Sequence, residues 1–157
     1  MTKKIKIFII DDDYFNPYPE GSASPIRQYQ KKLEEAGFAV SGASNWDEAL
    51  KHFPKVLAKP PFDLVILDIS MPLGESLKNI DPMGGLHAGL YVSQLLSERK
   101  QHHIILSNMA MGPIQRDFES GYLLEKYLKP NTLPTELARD IEELFGICET
   151  GRLLDPI

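Results

Sequence analysis

Phe62-Asp63-Leu64-Val65-Ile66-Leu67-Asp68 is the stretch on which the fold turns. From Leu64 to Leu67 every position is apolar, with no alternation. A strand with one wet face alternates apolar and polar residues. A strand apolar at each position needs both faces covered, as in a parallel sheet with helices above and below. The run then stops at a carboxylate, Asp68. Two other runs share this design. Ile5 to Ile10, interrupted by Lys6, ends in Asp11-Asp12-Asp13, and His103-Ile104-Ile105-Leu106 ends at Ser107. Phe38-Ala39-Val40 and Lys126-Tyr127-Leu128 are weaker strand candidates, the second leading into Lys129-Pro130.

Helical spacing fills the intervals. Ile26, Tyr29, Leu33 and Ala36 recur at steps of three and four, after a Ser24-Pro25 start and before a Gly37 stop. Serine caps free N–H groups, proline at the first helical position lacks one, and glycine accepts the left-handed turn that ends a helix. Either Ser44 with Asp47 or Asn45 with Glu48 opens a second helix carrying Ala49, Leu50 and Phe53. Leu86, Leu90, Ser93 and Leu96 mark a third, and Pro113 to Leu124 a less regular fourth. Leu137, Ile141, Leu144 and Phe145 mark a fifth that Gly146 stops. Strand and helix alternating five times predict a doubly wound α/β sandwich. Two stretches interrupt the rhythm, Tyr14 to Ala23 and Leu73 to Gly85. Each follows a strand, so each is expected at the carboxyl edge of the sheet.

Composition narrows the function. The chain has 157 residues, enough for one domain, and 43% are hydrophobic, enough for a real core. Lys and Arg total 17 against 22 Asp and Glu, a net charge of -5 that argues against a nucleic-acid surface. The single cysteine, Cys148, excludes a disulfide within the chain and fits a reducing compartment; it is expected to be inert. No stretch approaches the ~20 apolar residues of a membrane span, and the first apolar run is too short for a signal peptide. A soluble, cytoplasmic protein is expected, with no membrane partner. Fewer than a dozen residues follow Gly146, so an output domain is not expected in this chain and the action would pass through a partner. His52, His87, His102 and His103 show no ligand spacing, and Trp46 and the methionines read as packing or loop residues.

In open α/β sheets, ligands bind beyond the carboxyl ends of the strands. Those ends here carry Asp11-Asp12-Asp13, Asp68, Ser107 and Lys129-Pro130. Taken singly, each has an ordinary structural explanation, such as a solvated acid, a turn aspartate or a loop lysine. If they converge, clustered carboxylates repel one another and need a cation. Magnesium suits them, because it prefers oxygen ligands. A carboxylate flanked by a metal ion and an ammonium group has what it needs to attack phosphorus and form an aspartyl phosphate.

At this point the sequence resembles a known family. The acids after the first strand, Leu67-Asp68-Ile69-Ser70-Met71-Pro72, Ile105-Leu106-Ser107 and Leu128-Lys129-Pro130 are similar to the receiver domains of bacterial response regulators, over roughly residues 3 to 147. The resemblance implies a flavodoxin-like five-stranded parallel sheet in the order 2-1-3-4-5 with five helices, a single receiver domain with insertions at 14–23 and 73–85. It implies Mg2+ held by Asp11, Asp12, Asp68 and the backbone carbonyl of Ser70. Asp68 becomes the phosphoacceptor, Ser107 the hydroxyl that closes on the phosphoryl group, and Lys129 its ammonium partner, before a cis bond to Pro130. The donor would be a histidine kinase or histidine phosphotransfer protein, and the downstream target a protein. The rate-tuning positions would be Ser70 and Met109.

Three departures from the family stand out. The link from Tyr14 to Ala23 is long. An insertion displaces Pro82-Met83-Gly84-Gly85-Leu86 from its usual place after Met71-Pro72, and the two long loops together suggest a lid. The switch aromatic, usually three residues before the lysine, is replaced by Lys126, and its neighbour Tyr127 should face the opposite way. Two other readings stay open. One is a pseudo-receiver that binds partners without phosphorylation. The other is a phosphatase of the haloacid-dehalogenase type, with Asp11 as nucleophile and Asp13 as acid, against which Phe15 and the unused Asp68 both count.

Overall fold

A computed structural model describes residues 4–11, 25–54, 59–68, 85–107, 121–128 and 132–146. Five strands, β1 (Lys6–Ile10), β2 (Ala39–Ala43), β3 (Leu64–Leu67), β4 (His103–Ser107) and β5 (Leu123–Leu128), form one sheet in the order β2-β1-β3-β4-β5. Every neighbouring pair is parallel. The helices are α1 (Pro25–Glu35), α2 (Trp46–Leu50), α3 (Gly85–Glu98) and α4 (Pro134–Leu144). The doubly wound order 2-1-3-4-5 that the resemblance implies is the one found.

Alternation along the strands sorts the core into two layers. Phe8 and Ile10, Val65 and Leu67, and Ile105 pack with Trp46, Ala49 and Phe53 from α2 and its C-terminal turn and with Leu90, Val92 and Leu96 of α3. Ile7 and Ile9, Leu64 and Ile66, and Ile104 and Leu106 pack with Ile26, Tyr29 and Leu33 of α1 and with Leu137, Ala138 and Ile141 of α4. Both faces of the three central strands are therefore dry, which is why their sequences do not alternate. Burying each such side chain contributes roughly 1.5–3 kcal/mol.

The helix ends follow the capping chemistry. Asn45, not Ser44, caps α2; its side-chain oxygen accepts the Glu48 N–H at 2.8 Å. Ala36 lies past the end of α1 and is exposed, while Phe38 takes the buried place beyond the turn. Gly37 has φ of 99°, and the Phe38 and Gly37 N–H groups reach back to the Leu33 and Glu34 carbonyls. The same double bond closes α3. There the Gln101 and Lys100 N–H groups bond the Leu96 and Ser97 carbonyls, and the left-handed position falls on Lys100, at φ of 59°.

One expected element is corrected. The helix projected over Pro113 to Leu124 does not reach its end: Gly121 and Tyr122 form a turn, and Leu123 and Leu124 belong to β5. Residues 113–120 lie outside the described part, which holds four helices rather than five. Pairing with β4 fixes where β5 begins. His103 pairs with Leu123 and Ile104 with Glu125, so a register shift skips Leu124 and leaves it 41% exposed. Cross-strand hydrogen bonding outweighs a local helical pattern of this strength.

The two left-handed positions predict substitutions of opposite sign. A side chain in the left-handed region costs an L-residue roughly 1–2 kcal/mol. Gly37→Ala should lower unfolding free energy by about 1 kcal/mol and Lys100→Gly should raise it by about 1 kcal/mol, as read by urea denaturation.

Candidate functional site

The carboxyl edge of the sheet is set by where β1, β3 and β4 end. Ile10 pairs with Leu67, so Asp11 and Asp68 are the next residues on two adjacent strands, which run about 4.8 Å apart. Neither backbone is loose at this point. The Asp68 N–H donates to the Ile10 carbonyl at 2.9 Å, and the Asp11 N–H donates to the Ala43 carbonyl at 3.1 Å. Ser107 closes β4 on the other side of β3; Leu67 pairs with Ile105, so Ser107 stands one residue further along. All three residues are buried, Asp11 to 1% and Asp68 to 5% exposure. The sequence-expected residues Asp12, Ser70, Met109 and Lys129, with Pro130 and both long loops, lie outside the described residues.

The donor set at this edge is hard oxygen. Two buried carboxylates on neighbouring strands match the ligand type that Mg2+ takes, and desolvated like charges favour a cation between them. Asp11 and Asp68 place carboxylate oxygens at two of the four positions that the resemblance implies for Mg2+.

β4 is anchored beneath Ser107 by a buried polar pair that reading along the sequence passes over. His103 is fully buried; its Nδ1 lies 2.9 Å from the Gln101 carbonyl and its Nε2 lies 2.6 Å from Ser93 Oγ on α3. Burial drives the His103 pKa down from 6.5 to about 4, against the raising effect of the Gln101 carbonyl. The ring is therefore neutral at pH 7. Since a carbonyl only accepts, Nδ1 carries the proton, and Nε2 accepts from the Ser93 hydroxyl.

β5 turns its aromatic residue away from this edge's neighbour. Tyr127 packs in the layer of α1 and α4, and its hydroxyl donates to Asp140 Oδ2 at 3.2 Å. Burial first, and then the Asp140 carboxylate, push its ionisation well above the ordinary tyrosine range. Lys126, its neighbour on the strand, takes the opposite face. The sequence leaves open whether Tyr127 stands in for the aromatic missing at Lys126; here its ring lies in the α1 and α4 layer and its hydroxyl is held by Asp140. Asp140 carried no motif and was not singled out by the sequence; its helical spacing, one residue before the buried Ile141, was the only available signal.

Solved structures resemble this arrangement. A response regulator receiver domain protein from Methanospirillum hungatei superimposes with a TM-score of 0.62 at 20% identity, over 90% of this chain and 93% of that one. The chain has a receiver-domain fold. A response regulator from Thermotoga maritima matches the receiver fold with a TM-score of 0.60 at 17% identity, covering 90% and 97% of the two chains. A two-component response regulator from Clostridium difficile matches with a TM-score of 0.58 at 20% identity, covering 89% and 94%. No protein-family profile matches the sequence, and no curated protein matches it significantly. Among the described residues, no helix is long and apolar enough to cross a membrane.

His103 gives the receiver fold a pH signature. Between pH 6.5 and 4 the unfolded chain binds a proton that the folded chain refuses, so stability falls as pH drops through this window. The loss should approach about 3 kcal/mol at pH 4. In urea titrations across the window, His103→Asn should remove this component.

Proposed function

We propose that this protein is a cytoplasmic phosphoacceptor receiver in two-component phosphorelay signalling, modified on Asp68 with Mg2+ present. The donor is the phosphohistidine of a histidine kinase or a histidine phosphotransfer protein. The observation that carries the reading is the register between β1 and β3, which sets Asp11 and Asp68 side by side, buried, at the strand ends. Ser107 follows one strand away.

Asp11, Asp12, Asp68 and the Ser70 carbonyl would hold the ion. When bound, it supplies positive charge against the phosphoryl oxygens and the clustered carboxylates. A carboxylate oxygen of Asp68 attacks phosphorus; the P–O bond forms as the P–N bond to imidazole breaks, and the departing nitrogen keeps the electron pair. The backbone hydrogen bond from Asp68 N–H to Ile10 holds the nucleophile at a fixed height on the sheet. Lys129 neutralises a phosphoryl oxygen, and the Ser107 hydroxyl donates to another. The pull on Ser107 shifts the loop after β4, a local charge event biasing a two-state element. Output then passes to a protein target through the face that includes β5 and α4.

The hydroxyl of Tyr127, engaged by Asp140, favours one second reading: a pseudo-receiver that binds its partner without phosphorylation. Intact mass after incubation with acetyl phosphate and Mg2+ separates the two. The receiver gains one phosphoryl group, Asp68→Asn gains none, and chelation of the metal abolishes the gain. Ser107→Ala should slow the gain roughly tenfold or more, as loss of a single transition-state donor does. A folded protein that acquires no adduct is the pseudo-receiver. An adduct that survives Asp68→Asn but vanishes in Asp11→Asn identifies the haloacid-dehalogenase-type chemistry instead.

A further inference from the structure

The opposite edge of the sheet carries a feature that phosphorylation at Asp68 does not use. A cleft of about 440 Å3 opens at the amino-terminal ends of the strands. Its polar wall is Lys6 at the start of β1, Lys59 in the approach to β3, and Lys100 with His102 between α3 and β4. Its apolar floor is Pro60, Pro61, Phe62 and Phe145. We propose that this cleft binds a small phosphorylated ligand with a flat apolar body, the chemistry of a nucleoside phosphate.

Charge points to an anion. Three lysines face one acid, Asp63, on a chain whose net charge is -5. Asp63 is already engaged, accepting the Lys6 backbone N–H on Oδ2 at 2.8 Å. Among the described residues, none of the three ammonium groups has a carboxylate within ion-pair distance. Lysine is a point charge on a flexible stem, suited to phosphate oxygens whose positions vary.

The floor points to a flat partner. Phe62 is stacked on Phe8 at 4.4 Å with 18° between the rings, so its plane is held from within the core. Behind it, the fully buried Gln101 donates from Nε2 to the Phe62 carbonyl at 2.9 Å and to the His102 carbonyl at 3.0 Å. This one amide ties the entries of β3 and β4 together, and both line the cleft. Lys100 joins the wall from its left-handed backbone position, where glycine would be free of strain. A rigid apolar floor with mobile cationic tips suits a planar body carrying phosphate, since aromatic platforms stack bases without needing their identity. The volume lies in the range of small-molecule sites, roughly 300–1,000 Å3.

The test uses AMP, adenosine and inorganic phosphate as probes, followed by amide NMR shifts and calorimetry at low salt with EDTA present. AMP should bind, with shifts confined to Lys6, residues 59–63, residues 100–102 and Phe145. Adenosine and phosphate should each bind at least tenfold more weakly. Lys6→Gln with Lys100→Gln should weaken AMP at least tenfold, whereas Asp68→Asn leaves it unchanged. Lys100→Gly supplies the control against misfolding: its melting temperature rises while its AMP affinity falls. No binding at millimolar AMP would overturn the assignment. So would phosphate binding as tightly as AMP, shifts at the Asp68 edge, or full affinity in the double lysine variant.

Discussion

The pairing of β1 with β3 is the constraint on which everything else rests. These strands lie inside the sheet, and each is packed on both faces by the two core layers. Their register is doubly determined. Phe8 with Val65 and Ile10 with Leu67 face α2 and α3, while Ile7 with Leu64 and Ile9 with Ile66 face α1 and α4. Sliding one strand by a single residue would exchange the faces of every side chain on it and bring Phe8 into the layer of α1 and α4. It would also part Asp11 from Asp68. Core packing and site geometry are one and the same fact, and two buried carboxylates can stand side by side because a large apolar burial holds the strands beneath them.

That coupling explains what could be read from the sequence. Leu64 to Leu67 and His103 to Leu106 announce themselves as doubly covered strands, and the residue after each apolar run is therefore placed at the edge without any tertiary information. Asp11, Asp68 and Ser107 were legible in this way. Gly37 and Asn45 were legible for a different reason, since capping is local chemistry carried by one side chain or by the lack of one. The start of β5 was not legible. Leu123 and Leu124 lie in a segment whose helical spacing is weak, and only the partner strand β4 settles the matter. Lys100 was not legible either, because a lysine in a glycine's position leaves no mark in the sequence.

Polar groups inside the core divide into those that fix and those that report. The Ser93–His103 pair joins α3 to β4 through a neutral ring whose two nitrogens are both occupied, and Gln101 next to it joins the entries of β3 and β4. These contacts hold the amino-terminal half of β4. Ser107, at the other end of the same strand, is paired with Leu128 of β5.

β5 is where this chain parts from the family it resembles. A switch aromatic needs freedom to turn between the site and the solvent. Tyr127 is held by burial against the α1 and α4 layer and by its bond to Asp140, and the residue that takes the alternate face is Lys126. Tyr127 thus ties β5 to α4 through its bond to Asp140, while Lys126 stands on the other face of the strand.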